Sequence, residues 1–192
     1  MSQTAGEPLI SVEDYLTGEL SSEVRHEFVN GEVFAMVGAG MDHNTIAGNL
    51  FATLHGLLQG GPCRPFIGDV KVRIQQHGDD RFYYPDLVVS CSPDQPSNYY
   101  TDSPVLIVEV LSDSTERHDR AEKFHSYRKL DSLQEYVLVA QDLMRVEVYR
   151  RTSGWELELF GAEDRLRLES VELELAVAQI YARTELAAGG PH

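Results

Sequence analysis

The segment Val105-Leu-Ile-Val-Glu-Val-Leu111 constrains the fold more than any other stretch of this chain. A near-continuous apolar run of this length reads as a central strand covered on both faces. Its one charged residue is Glu109. Period-two alternation puts Glu109 on the same face as Val105, Ile107 and Leu111. An ionised carboxylate in such surroundings costs several kcal/mol unless it is paired or bound to a metal. Something must therefore face Glu109: a salt-bridge partner, a cation, or water at the strand end.

The rest of the chain supplies one α/β domain around that strand. Its 192 residues suit a single unit, since domains run to about 100–200 residues. Residues 11–186 form the expected domain, with flexible ends at 1–10 and 187–192. Ser11 resembles a helix cap. Arg25–Val37 reads as a hairpin turning at Asn30-Gly31, because both residues tolerate positive φ. Asp42 is the expected cap of a helix to about Leu58, whose Ile46, Leu50, Leu54, Leu57 and Leu58 recur at helical spacing. Val70, Val72 and Ile74 alternate with Lys71, Arg73 and Gln75 in a half-buried strand. Tyr83–Val89 is another strand, and Ser92–Ser103 a loop. Glu116–Leu130 is helical and Glu135–Ala140 returns parallel to Val105–Leu111 by a right-handed crossover. Val146–Arg150 and Trp155–Phe160 suggest a hairpin around Ser153-Gly154, and Leu173–Ala182 a last helix.

No apolar run approaches the ~20 residues of a membrane span. Met1–Pro8 has no basic region followed by an apolar stretch. A cytoplasmic protein without membrane contact is expected. Cys63 and Cys91 lack the paired spacing of a zinc site and are expected to be reduced thiols in or near the core. The formal net charge of −15 weighs against tight nonspecific nucleic-acid binding. A local patch is still open to the chain, because Arg117, Arg120, Lys123, Arg128 and Lys129 lie close together in sequence while acids crowd between Glu156 and Glu174.

Asp86, in Tyr84-Pro-Asp86, enters the sheet where Pro85 marks a strand start or edge. Alone it is a turn signal. Beside a second acidic strand, it offers the hard oxygen ligands that Mg²⁺ takes with waters and a phosphate. After Glu109 comes a helix with Asp119, Lys123, Tyr127 and Leu130 on one side. Lys123 there is either solvated, as lysines usually are, or turned inward past the strand ends. Lys71 competes with it as a catalytic lysine. Glu27 lies on the first hairpin and His43 at a helix start, and both also suit a surface. The seven histidines show no His-x-x-x-His pair, so zinc is not expected.

The ordered string Arg25-His-Glu-Phe-Val-Asn-Gly-Glu32, His43, Tyr84-Pro-Asp86, Glu109-Val-Leu-Ser112, Thr115, Asp119-Arg120, Lys123, Tyr127 and Glu135-Tyr136 resembles the bacterial restriction endonucleases of the Uma-two type, within the PD-(D/E)XK nuclease superfamily. The resemblance covers roughly Val12 to Arg151. It implies a restriction-endonuclease-like core: a central mixed β-sheet flanked by helices, with an N-terminal hairpin and with the acids on adjacent central strands. The superfamily's usual lysine, two residues after the Glu, is replaced here by Leu111. In the Uma-two type the lysine comes from the following helix, which selects Lys123. The same resemblance adds Glu27 as an accessory acid and, more weakly, His43.

The function so implied is Mg²⁺-dependent hydrolysis of DNA phosphodiester bonds, with Mn²⁺ as a substitute ion. Asp86 and Glu109 hold the metal, Lys123 serves the attacking water or the transition state, and Glu27 orients Lys123 or binds a second ion. His43, Lys71, Asp119 and Tyr127 are accessory candidates. Arg117, Arg120, Arg128 and Lys129 are candidates for backbone phosphate contacts. A twofold homodimer is the default assembly. The alternative is a catalytically silent module that binds nucleic acid or a protein partner, which the net charge favours. A glycosidase pair needs a sugar groove lined with aromatics, and Trp155 is the chain's one tryptophan.

Overall fold

The computed structural model describes residues 9–76, 78–113 and 115–189. The chain runs through α1 (Val12–Ser21), β1 (His26–Val29), β2 (Glu32–Ala35), α2 (Met41–Leu58), β3 (Arg64–Ile67), β4 (Lys71–Gln76), β5 (Asp79–Tyr83), β6 (Leu87–Ser90), β7 (Tyr100–Thr101) and β8 (Pro104–Leu111). Three consecutive helical pieces follow: α3 (Glu116–His118), a π-helical turn (Asp119–Lys123) and α4 (Phe124–Tyr127). The C-terminal part holds β9 (Glu135–Ala140), β10 (Arg145–Arg150), β11 (Leu157–Gly161), β12 (Arg165–Leu168), β13 (Leu173–Ala176) and α5 (Val177–Ile180). No helix among the described residues is long and apolar enough to cross a membrane.

These strands form a mixed α/β domain. The larger sheet has six strands in the order β11-β10-β9-β8-β6-β3, and the second has five in the order β2-β1-β5-β4-β7. β8 is central in the larger sheet, antiparallel to β6 and parallel to β9. The parallel pair needs a crossover, and α3 to α4 supply it. One face of β8 carries Leu106, Val108 and Val110 into a core with Ile46, Leu50 and Leu54 of α2 and the apolar residues of β12 and β13. Each fully buried leucine there stabilises the fold by about 1.5–3 kcal/mol. The other face carries Ile107 and Leu111 against Tyr127 and Tyr136. Val105, expected on that second face, packs against the first core instead. The β6–β8 register shifts between Val89 and Ser90, near the same end of β8.

Local sequence rules account for most boundaries. The Ser11 side chain accepts the Asp14 amide and caps α1. Asn30 and Gly31 take φ of 50° and 98° and turn the first hairpin. Four expectations are corrected. Gly40, not Asp42, caps α2, and Asp42 falls in its first turn. Tyr83–Val89 is not one strand: β5 and β6 belong to different sheets, and the chain crosses between them at Tyr84-Pro85-Asp86, where proline removes a ladder donor. The loop after Ser92 contains the short strand β7, parallel to β4. Leu173–Ala182 begins as a strand, because Leu173 and Leu175 point inward while Glu174 faces out, and they pair across from Leu168 and Leu166.

The cysteines are a fifth correction. Arg64 pairs with Ser90 in the antiparallel β3–β6 ladder, so Cys63 and Cys91 come side by side one residue further on. They form a disulfide. Sequence separation hid a pairing that strand register makes.

Candidate active site

Glu109 lies toward the C-terminal end of β8, 3% exposed. Leu87 of β6 pairs with Val108 of β8, which brings Asp86, just before β6, alongside Glu109. Asp86 Oδ2 accepts the Val110 amide at 2.6 Å. His43 Nε2, from the first turn of α2, lies 3.3 Å from the same oxygen. The peptide geometry of two neighbouring strands thus orients both acids.

Lys123 points inward. Its Nζ lies 2.9 Å from Glu27 Oε1, 3.3 Å from Glu109 Oε1 and 3.2 Å from Asp119 Oδ1. Asp119 and Lys123 are four residues apart on one helical face, at the two ends of the π-helical turn, a distortion that recurs at functional sites. Tyr136 donates to the Asp119 carbonyl at 3.0 Å and secures the turn. Tyr127 donates to Glu109 Oε1 at 3.2 Å. Asp119 Oδ1 itself is buried and makes no hydrogen bond among the described residues, so its link to Lys123 is one of charge.

Burial is the largest influence on Glu109 and raises its carboxyl well above the usual range, although Lys123 pulls the other way. For Lys123 burial opposes the charge, but Glu109, Glu27 and Asp119 together outweigh it and the ammonium holds its proton more tightly than usual. For His43 burial also opposes the charge, and the hydrogen bond and charge of Asp86 turn the balance upward. Four carboxylates thus surround one ammonium and one imidazole.

A cleft of about 240 Å³ opens onto Asp86, Glu109, Asp119 and Lys123. Among the described residues no three His, Cys, Asp or Glu side chains are gathered as a metal cage. The donors nevertheless fit Mg²⁺, which keeps several waters and takes one or two carboxylates plus substrate phosphate oxygens. Asp86 Oδ1 and Glu109 Oε2 accept no hydrogen bond from the described residues. A cation between them would relieve the burial that drives Glu109 upward.

Asp86, Glu109, Lys123, Glu27, His43, Asp119 and Tyr127 therefore come together. Lys71 does not join them: its buried Nζ donates to the Tyr84 hydroxyl at 3.1 Å, and burial lowers its pKa. Arg120 is ion-paired with Glu116 and Glu147, and Lys129 with Asp79. Arg128 lies over the rings of Phe124 and Trp155. Arg117 is exposed. Sequence reasoning missed Tyr84, whose amide lies 3.4 Å from Glu27 Oε1, although it adjoins Pro85-Asp86. It also missed the wall formed by Met36 to Gly40. The signal was present, since Gly38-Ala39-Gly40 breaks the chain between hairpin and helix.

The fold and cleft define a mixed α/β protein with an acid-lined cleft at the end of its central strand. A crystal structure of a "putative nuclease belonging to DUF820" from Anabaena variabilis shares the fold with a TM-score of 0.72 at 17% identity, covering 90% of this chain and 98% of that one. More particularly, the chain belongs to the Uma2 family, described as "Putative restriction endonuclease", whose model matches residues 12–178. Two Synechocystis proteins are similar over nearly their whole length. The uncharacterized protein slr1290 is 36% identical, over 94% of this chain and 95% of its own. The uncharacterized protein sll1609 is 30% identical, over 94% of this chain and 100% of its own.

Proposed function

We propose that this protein is a metal-dependent endonuclease that hydrolyses DNA phosphodiester bonds in the cleft at Asp86 and Glu109. One observation carries the reading: the carboxylates of Asp86, just before β6, and of Glu109, on β8, face one cleft beside a buried lysine held by three acids. Asp86 and Glu109 would hold Mg²⁺ or Mn²⁺. Such an ion lowers the pKa of a bound water and stabilises charge on phosphate oxygens.

The chain's own residues do the rest. The Val110 amide and His43 hold Asp86 Oδ2 and leave Oδ1 for the cleft. Tyr127 and Lys123 occupy Glu109 Oε1 and leave Oε2. Glu27 and Asp119 keep Lys123 charged and aimed between the strands. From there its ammonium meets negative charge that develops on the phosphate, the electrostatic role a preorganised cation fills best.

The test is cleavage of plasmid and single-stranded oligonucleotide DNA with Mg²⁺ or Mn²⁺. Asp86→Ala and Glu109→Ala should each lower the rate by at least about a hundredfold. Full activity in either variant, or cleavage that persists in EDTA, defeats the assignment.

A further inference from the structure

One wall of the cleft, from Met36 to Gly40, carries no charged side chain, and Val37 on it is exposed. In the first hairpin, Glu27 of β1 pairs directly with Phe34 of β2, and directly paired residues share one face. Glu27 reaches down to Lys123. Phe34 therefore stands on the side of the hairpin that faces the site, and it is 50% exposed. The chain then runs along the cleft wall from Met36 to Gly40. Val37 is 83% exposed and Met41, at the start of α2, is 88% exposed. Val37 thus lines the acidic cleft, and Phe34 and Met41 put large apolar side chains into solvent within four residues of it along the chain.

Arg117 and Arg128 are the exposed cations of the crossover helix, and Arg128 lies over the rings of Phe124 and Trp155. Lys123 is enclosed by three carboxylates, and Arg120 and Lys129 are engaged by acids elsewhere. With a net charge of −15, the protein is poorly equipped for a double helix, which carries one negative charge per about 1.7 Å. A duplex also keeps its base faces stacked, and so offers the rim little apolar surface. A strand with unpaired bases offers those faces directly, at lower charge density.

We propose that the Phe34–Val37–Met41 rim is the substrate-selecting surface of this cleft, and that it takes single-stranded or locally unpaired DNA by packing against exposed bases. The inference rests on the nuclease reading for its location but is tested by binding. Phe34 meets a base face, since aromatic stacking tolerates any base. Val37 and Met41 flank the neighbouring sugar and base. The scissile phosphate then lies over Asp86 and Glu109.

The experiment measures fluorescence anisotropy of a fluorescein-labelled single-stranded oligodeoxynucleotide and of its duplex. It uses the full chain carrying Glu109→Gln, so that the strand stays uncut. The single strand should bind at least about tenfold more tightly than the duplex. Phe34→Ser and Val37→Ser should each weaken that binding by about tenfold, and Phe34→Tyr should restore it. Because all three rim residues are exposed, their variants should melt with the parent. The slope of log affinity against log salt should be shallow, about −1.5, as for about two phosphate contacts on a single strand. Equal or tighter duplex binding, rim variants that bind like the parent, or a slope of about −5 or steeper would overturn the proposal. Hydrolysis by the wild-type chain is scored separately. Rim-dependent binding without any cleavage would uphold the rim and defeat the nuclease reading. Cleavage with unchanged KM in the rim variants would do the reverse.

Discussion

The ammonium of Lys123 lies 3.3 Å from Oε1 of Glu109, and this ion pair joins the crossover helix to the most apolar strand of the protein. Both groups are almost wholly buried, at 5% and 3% exposure. Burial opposes both charges, and each offsets part of that cost for the other. Lys123 also ties in Glu27 from the second sheet, so one side chain links both sheets and the helix.

Removing that ammonium strands three carboxylates in low dielectric. Lys123→Met should destabilise the fold by about 3–5 kcal/mol, read from urea unfolding at neutral pH. It should also abolish cleavage. Unchanged stability would mean that the three acids find other partners or water, and that the buried-cluster account is wrong.

Glu109→Gln should separate stability from activity. A buried acid whose native pKa is raised binds its proton more tightly when folded than when unfolded. The wild type should therefore lose stability as pH rises above the ordinary value of 4.5 toward the raised native one. Glutamine removes that loss, so the variant should be at least as stable as wild type at pH 8 in EDTA. Adding Mg²⁺ should raise the Tm of the wild type and leave the variant unmoved, because a ligand stabilises only the state that binds it. An equal Mg²⁺ shift in both proteins would remove Glu109 from the metal site.

Asp79 offers a pH dependence of the opposite sign, away from the cleft. Burial works against its charge, but Lys129, Arg81 and Asn30 hold its carboxyl down at about 2, below the ordinary 3.8. Its contribution is present above pH 3.8 and lost as pH falls toward about 2. The group is part-buried at the surface, and solvent screening reduces its worth to about 1 kcal/mol. Asp79→Asn should cost about that at pH 6 and almost nothing at pH 2, by denaturant melts at both values. A pH-independent loss would identify the role as packing of the hairpin turn.

Reduction should weaken the larger sheet at its β3 edge. The Cys63–Cys91 bond closes a separation of 28 residues, and the chain-entropy model assigns such a closure about 3.6 kcal/mol. Cys63→Ser with Cys91→Ser should lower stability by that order, and a reducing agent should do the same to the wild type only. Cleavage should survive, since the bond lies at the Ser90 end of β6 and Asp86 precedes the other end.

Much of this was legible in the residue order. Val105–Leu111 announced a doubly covered strand, and its lone acid announced a partner. Asn30-Gly31 announced a hairpin. Both follow from short-range rules in which the side-chain period or the φ preference acts locally. Tyr83–Val89 misled because its alternation runs straight through the proline at which the chain changes sheets. Leu173–Ala182 misled because Leu173, Val177 and Ile180 recur at helical spacing straight through the four-residue strand that precedes α5.

By itself, then, the sequence determined which side chains needed company: an acid among aliphatics, an acid after proline, a lysine on a helix with one greasy side. Only the tertiary structure decided what that company was. It set Lys123 rather than Lys71 beside Glu109, brought Glu27 and Asp119 onto the same ammonium, joined Cys63 to Cys91, and bound up Arg120 and Lys129 in ion pairs. The reason is physical. The apolar pattern that marks a strand for burial is local along the chain, whereas pairing depends on distances between elements that sheet register and crossover geometry alone establish.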